Sequence, residues 1–192
     1  RNDTRIMHVC GGNYQNGIQR GDASYYFSRY PQIWGWATWR RAWKYYDVDM
    51  KKFQQFNKYF NIESIFRLKQ EQKFWMKMFR YTISRKVNTV WDFQWVFAVL
   101  TQNGLSVTPN KNLVSNIGFG PEAVHMSFID KKTANLKVFE LNEITHPDFI
   151  LADFEADKLA FKNLFTLPLY ARIRIFIIKI RNKIKKIISG KW

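Results

Sequence analysis

In the run WDFQW (91–95) a single carboxylate, Asp92, stands between Trp91 and Phe93. An apolar surrounding disfavours the charged form, so it raises a carboxyl pKa toward the range useful for taking a proton. The same residue also reads as part of a helix start. Thr89-Val90-Trp91-Asp92 resembles a capping box, in which an acid at the third helical position steadies the first turn. His125 closes the glycine-containing run NIGFGPEAVH (116–125). Backbone N–H groups in such a loop can approach phosphate oxygens, although a lone loop histidine is also compatible with simple solvation. Trp34 and Trp36 flank Gly35, where the chain can turn sharply and let both rings project. Aromatic faces suit sugars and nucleobases alike, so this pair reads as a site and Trp39 and Trp43 as helix core. His8 reads as structural and His146, before Pro147, as a turn residue. One cysteine and three scattered histidines give no internal metal site with ligand spacing.

The elements that must position these residues follow from periodicity. Arg5 to Cys10 reads as a strand ended by Gly11-Gly12, and Asn13 to Asp22 as a polar turn region. A second apolar-aromatic run spans Ala23 to Phe27. Thr38 can cap a helix carrying Trp39, Trp43 and Tyr46, and a long helix is predicted over Ile62 to Ile83. Trp91, Trp95, Ala98 and Val99 form one helical face, stopped by Asn103-Gly104. Leu105 to Thr108 reads as a strand closed by Pro109. The order predicts an α/β domain with a mixed sheet, flanking helices and a loop-rich half.

Composition bounds the partners. A chain of 192 residues, 46% hydrophobic and 18% aromatic, supports a sizeable core and is too apolar for intrinsic disorder. The single cysteine, Cys10, excludes an internal disulfide framework and a CxxC-type zinc site, and it fits a reducing cytosol. The net charge of +16 is uneven: ten of the 31 basic side chains and none of the 15 acidic ones fall between Lys158 and Trp192. Residues 1–165 read as the domain and 166–192 as a basic tail. In that tail Ile173, Phe176, Ile177, Ile180, Ile184, Ile187 and Ile188 follow helical spacing, with Arg and Lys on the flanks. This is the pattern of an amphipathic helix lying on an anionic membrane surface; a terminal helix docked on its own domain is the alternative. The tail and exposed aromatics also leave open a non-catalytic module binding membrane surfaces or nucleic acid.

Four motifs together, CGGNYQNG (10–17), SYYFSRYPQIWGWATWRRAW (24–43), WDFQW (91–95) and NLVSNIGFGPEAVH (112–125), resemble the C-terminal half of a bacterial family of GT-A-fold nucleotide-sugar transferases, sometimes labelled haemolytic-protein-like. The chain is more distantly similar to the inverting N-acetylglucosaminyltransferase that starts N-glycan branching. The resemblance implies the acceptor-side half of such an enzyme. The activity would be metal-dependent transfer, using Mn²⁺ or Mg²⁺, from a nucleoside-diphosphate sugar to a glycan or lipid-linked acceptor hydroxyl, in cell-surface glycan synthesis. Asp92 matches the base of that family. Asn13, Arg29, Trp34, Gly35, Trp36 and Trp91 would belong to the sugar and acceptor pocket. Gly118, Gly120 and His125 match the loop that closes over the donor diphosphate and metal, with His125 a possible ligand. Arg29, Arg40 and Arg41 are local cations for the diphosphate charge. The nucleotide-binding half and the main acidic metal ligands are expected upstream of Arg1, which is not an initiator Met. The tail, through 171–192, would hold the protein at the cytoplasmic face of the inner membrane.

Overall fold

The computed structural model describes residues 2–85, 91–118 and 133–166. Along the chain these form β1 (Ile6–Cys10), β2 (Tyr25–Ser28), β3 (Trp36–Thr38), α1 (Arg40–Trp43), α2 (Phe53–Tyr59), a 3₁₀ turn (Ile62–Ser64), α3 (Lys69–Arg85), α4 (Asp92–Thr101), β4 (Leu105–Pro109) and α5 (Phe154–Phe165). The strands make one mixed, open sheet in the order β2-β4-β1-β3. β1 runs parallel to β4, with Val9 beside Val107, and antiparallel to β3, with Val9 beside Ala37. β2 pairs antiparallel with β4 on the far side. The expected α/β architecture with flanking helices is present.

The packing explains which helix matters most. Residues Gln94 to Leu100 of α4 are all buried, as befits a helix that is apolar around its whole circumference. One side joins an aromatic core of Tyr30, Phe53, Phe66, Trp75, Phe79 and Phe161 through Val96, Phe97 and Leu100. The other side, Trp95, Ala98 and Val99, packs on Met7 of the sheet and on Ala42. In α3, Glu71, Trp75, Phe79 and Thr82 recur at three- and four-residue spacing and are buried, the stripe that docks the helix. α4 stops where the sequence places its stop: Asn103 takes φ 52° and the Gly104 N–H donates to the Val99 carbonyl at 2.8 Å.

Three local expectations fail for identifiable reasons. Thr38 caps no helix: it ends β3, and its hydroxyl donates to the Met7 carbonyl across the strand pair at 2.6 Å. α1 is a single turn, and Trp43, stacked flat on Tyr46 at 4.4 Å, sits at the rim of the core and is 39% exposed. The long helix from Ile62 is broken. The chain leaves the 3₁₀ turn so that Phe66 can enter the core, and the Gln72 side chain donates to the Phe66 carbonyl before α3 proceeds.

The turn into β3 depends on Gly35. Its φ is +57°, and a Cβ there would collide with Val114 Cγ1. Gly35→Ala combines left-handed backbone strain with overpacking, so a loss of about 2–3 kcal/mol is expected in urea unfolding. A variant as stable as the parent would mean that Val114 and the turn relax without cost.

A candidate site at the N-terminal end of the central helix

Asp92 is the first residue of α4, not the third, because Trp91 occupies the N-cap position without a side-chain capping bond. Thr89 lies outside the described residues. Asp92 Oδ1 accepts the Phe93 N–H at 3.0 Å, which holds the carboxylate at the helix start. There the positive end of the helix dipole favours its charge.

This carboxylate opens onto a cavity of about 270 Å³. Trp34 lines the same cavity, brought there by the turn at Gly35, and makes an edge-to-face contact with Tyr14 at 6.0 Å. Tyr30, Trp75, Phe93 and Phe165 supply further aromatic wall, and among the described residues no Lys or Arg lines it. Among the described residues Asp92 is therefore the one charged side chain on an otherwise neutral, aromatic surface. Gln32 also lines it, and neither atom of its buried amide has a hydrogen-bond partner among the described residues.

Trp36 turns elsewhere. It stacks on Trp91 at 4.9 Å and on the His8 imidazole at 5.4 Å, and with Trp43, Trp95 and Tyr46 it builds the aromatic layer over the sheet. The turn thus separates the two rings, one in the cavity and one in the core, instead of projecting both. Beneath this layer His8 is fully buried. Its Nδ1 accepts from the Trp95 indole N–H at 3.0 Å, and its Nε2 lies 2.8 Å from the Gln32 carbonyl. An indole N–H can only donate, so Nε2 carries the proton. Burial pulls this histidine's pKa down to about 4. It is a neutral structural link between β1, α4 and the cavity wall at Gln32.

The remaining expected site residues are distributed differently. The Asn13 side chain donates to the Pro109 and Asn110 carbonyls and accepts from the Gln15 N–H, so it locks the chain after β1. Arg29 lines a second, larger cavity with no share of Asp92 or Trp34. Arg41 donates to the carbonyls of Asp3, Thr4 and Ile6, and Arg40 is exposed. Gly118 is exposed and its N–H donates to Asn116 Oδ1. Gly120, His125 and the tail 171–192 lie outside the described residues. Among the described residues no group of three or more His, Cys, Asp or Glu converges to hold a metal; Asp3 is taken up by Arg5 at 2.7 Å. The ligands that the resemblance implies for a divalent ion, His125 and acids expected upstream of Arg1, lie outside the described residues. No described helix is long and apolar enough to cross a membrane.

Sequence reasoning overlooked Tyr14, Tyr30, Gln32, Trp75 and Phe165 as cavity residues. It also overlooked Asp157 of α5, a carboxylate only 4% exposed. Ser28 Oγ donates to Asp157 at 2.6 Å and the Arg29 N–H at 3.2 Å, tying α5 to the end of β2. Burial is the largest influence and lifts its pKa to about 7, against the pull of those donors. A carboxyl with a raised folded pKa stabilises most when protonated; that stability is present at low pH and lost as pH rises toward 7. His8 acts in the opposite sense, because its lowered pKa makes stability fall as pH drops from about 6.5 toward 4. Comparison with Asp157→Asn isolates the first effect. The stability difference between parent and variant is expected to favour the parent more at pH 5 than at pH 8, and a pH-independent difference would remove the linkage.

The chain matches no protein-family model, no curated protein and no solved structure.

Proposed function

We propose that this protein transfers a sugar from a nucleoside-diphosphate sugar to a hydroxyl of a glycan or lipid-linked acceptor, with Asp92 as the base and the small cavity as the acceptor pocket. One observation carries the reading: Trp34 and Asp92, far apart in sequence, line the same aromatic cavity. A sugar ring presents C–H faces for an aromatic platform and hydroxyl edges for a base. A neutral polyol suits the described wall, which carries no Lys or Arg, better than a diphosphate does. At the start of α4 the carboxylate is held in one orientation, so it can accept the acceptor proton as the acceptor oxygen attacks the sugar C1. Diphosphate binding and any divalent ion belong, in this reading, to residues beyond those described, including His125. The basic run 171–192 would keep the protein at the inner face of a membrane, where lipid-linked acceptors are found.

The test is release of nucleoside diphosphate by the full-length gene product from a panel of nucleoside-diphosphate sugars, with and without candidate acceptors and Mn²⁺ or Mg²⁺. Acceptor-dependent release is expected. Trp34→Ala is expected to raise the acceptor KM about tenfold, since losing roughly 50 Å² of apolar contact is worth about 1.3 kcal/mol. Its melting temperature should change little. Saturable sugar binding without turnover of any donor would make the protein a carbohydrate-binding module instead.

A further inference from the structure

The larger cavity, about 630 Å³, follows one side of α4 to its C-terminal end at Leu100 to Gly104. Its far end is about 15 Å from Asp92 along the helix axis, given 1.5 Å of rise per residue. Three cations line it: Arg29 after β2, Lys44 after α1 and Lys52 at the start of α2. The ion pairs among the described residues are Arg5–Asp3, Lys51–Asp49 and Lys158–Glu155, so no described carboxylate is in direct contact with any of these three. The carboxylate that does line the cavity, Asp47, is occupied at both oxygens by the backbone N–H groups of Asp49 and Lys51. Beside the cations stand exposed aromatics: Tyr45 is 50% exposed and Phe60 64%, the latter stacked on Phe56.

Cations beside a helix C-terminus can simply serve its dipole. Here the last turn of α4 is closed by its own chain. Thr101 Oγ1 donates to the Phe97 carbonyl, the Asn103 N–H to that of Leu100 and the Gly104 N–H to that of Val99. Neither lysine nor Arg29 is a side-chain donor to them.

We propose that this cavity binds a phosphate monoester carried on an apolar group. The cations take the dianionic phosphate, for which clustered Lys and Arg donors are the recurrent solution. The apolar group lies along Tyr45, Phe56 and Phe60, which would otherwise leave large apolar surface in water. Such a molecule could be a lipid phosphate or a soluble phosphate ester; the chemistry recognised is the same. The site is independent of the transfer reaction proposed above.

The experiment uses the whole protein and isothermal titration with octyl phosphate, inorganic phosphate and octyl glucoside, each below its micelle concentration. Octyl phosphate is expected to bind at least about tenfold more tightly than either of the others, because each of those lacks one half of the ligand. Lys44→Ala with Lys52→Ala should weaken octyl phosphate about tenfold or more, and Phe60→Ser should weaken it while leaving inorganic phosphate unchanged. All three positions are exposed, so the melting temperatures should hold. As a second readout, amide shifts on adding octyl phosphate should centre on Gln102 to Gly104. Dihexanoyl phosphatidic acid competing with octyl phosphate would assign a lipid headgroup, and failure to compete a soluble ester. The proposal is overturned if inorganic phosphate binds as tightly as octyl phosphate, if octyl glucoside does, or if the double lysine variant lowers the melting temperature without changing affinity.

Discussion

Replacing Asp92 by Asn is expected to lower sugar transfer at least about 10²-fold while leaving the fold intact. The amide keeps the shape of the carboxylate and can still accept the Phe93 N–H through its oxygen. It cannot take a proton. The helix dipole works in the same direction, since the variant loses a charge favoured at the start of α4, but that contribution is small, at about 0.3–1 kcal/mol. Activity and stability therefore separate: kcat should collapse, the acceptor KM should move little, and the midpoint of unfolding should shift by only a few degrees. Near-normal turnover in a folded Asp92→Asn protein would return Asp92 to a purely helix-stabilising role. A collapse in both activity and stability would show that the first turn of α4, not proton transfer, is what the substitution removed.

Trp95→Ala is expected to be the most damaging single change in the described structure. Trp95 has no exposed surface and fills the space between α4, Met7 and Ala42. Truncating a buried Trp costs about 3–5 kcal/mol through lost burial and an unfilled cavity. The indole also satisfies His8 Nδ1, and leaving that buried acceptor without a donor adds about 1–3 kcal/mol. A total of about 5 kcal/mol is comparable with the whole stability of many domains. Trp95→Phe separates the contributions: it keeps most of the volume and loses only the donor. Urea titrations of the two variants should show Ala near or beyond the unfolding threshold and Phe weakened by about 1–3 kcal/mol. A Trp95→Phe variant as stable as the parent would mean that the His8 bond contributes nothing, and equal losses in the two variants would mean that it carries the whole effect.

How much of this was legible in the sequence depends on which interactions decide each element. The strands at Ile6–Cys10 and Leu105–Pro109 and the stop at Asn103-Gly104 are local matters of apolar runs and left-handed turns, and they read correctly. Thr38 did not, because a cap and a cross-strand hydroxyl bond have the same local signature; only the arrival of Met7 decides between them. The aromatic run that begins at Trp34 announces a constellation but not its division. Gly35 sends Trp34 to the cavity and Trp36 to the His8 layer, a choice made by Val114 and by the partners Tyr14 and Trp91. Arg29 and Tyr30 are neighbours in the chain, yet Arg29 lines the larger cavity and Tyr30 the smaller one, as alternation just past a strand end requires. The cavity wall itself was hidden because Trp75 belongs to a helix whose periodicity says only that it is buried, and Phe165 to α5, which the sequence reading did not place.

The parallel pairing of β1 with β4 has a consequence for how the molecule comes together. Ile6 lies beside Leu105 at the centre of the sheet, so this contact closes a loop containing β2, β3 and every helix from α1 to α4. The entropy of closing so long a loop must be met before the contact gives anything back. The neighbouring contacts between α3 and α4 span a far shorter stretch of chain and carry no such barrier. Helical packing around Trp75 and Phe97 is thus expected to precede the sheet, with the two central strands meeting after it across a surface the helices have already shaped. Until they do, the backbone edge of β4 is exposed to any other chain, and the rate of that final step sets how long the newly made protein is open to mispairing.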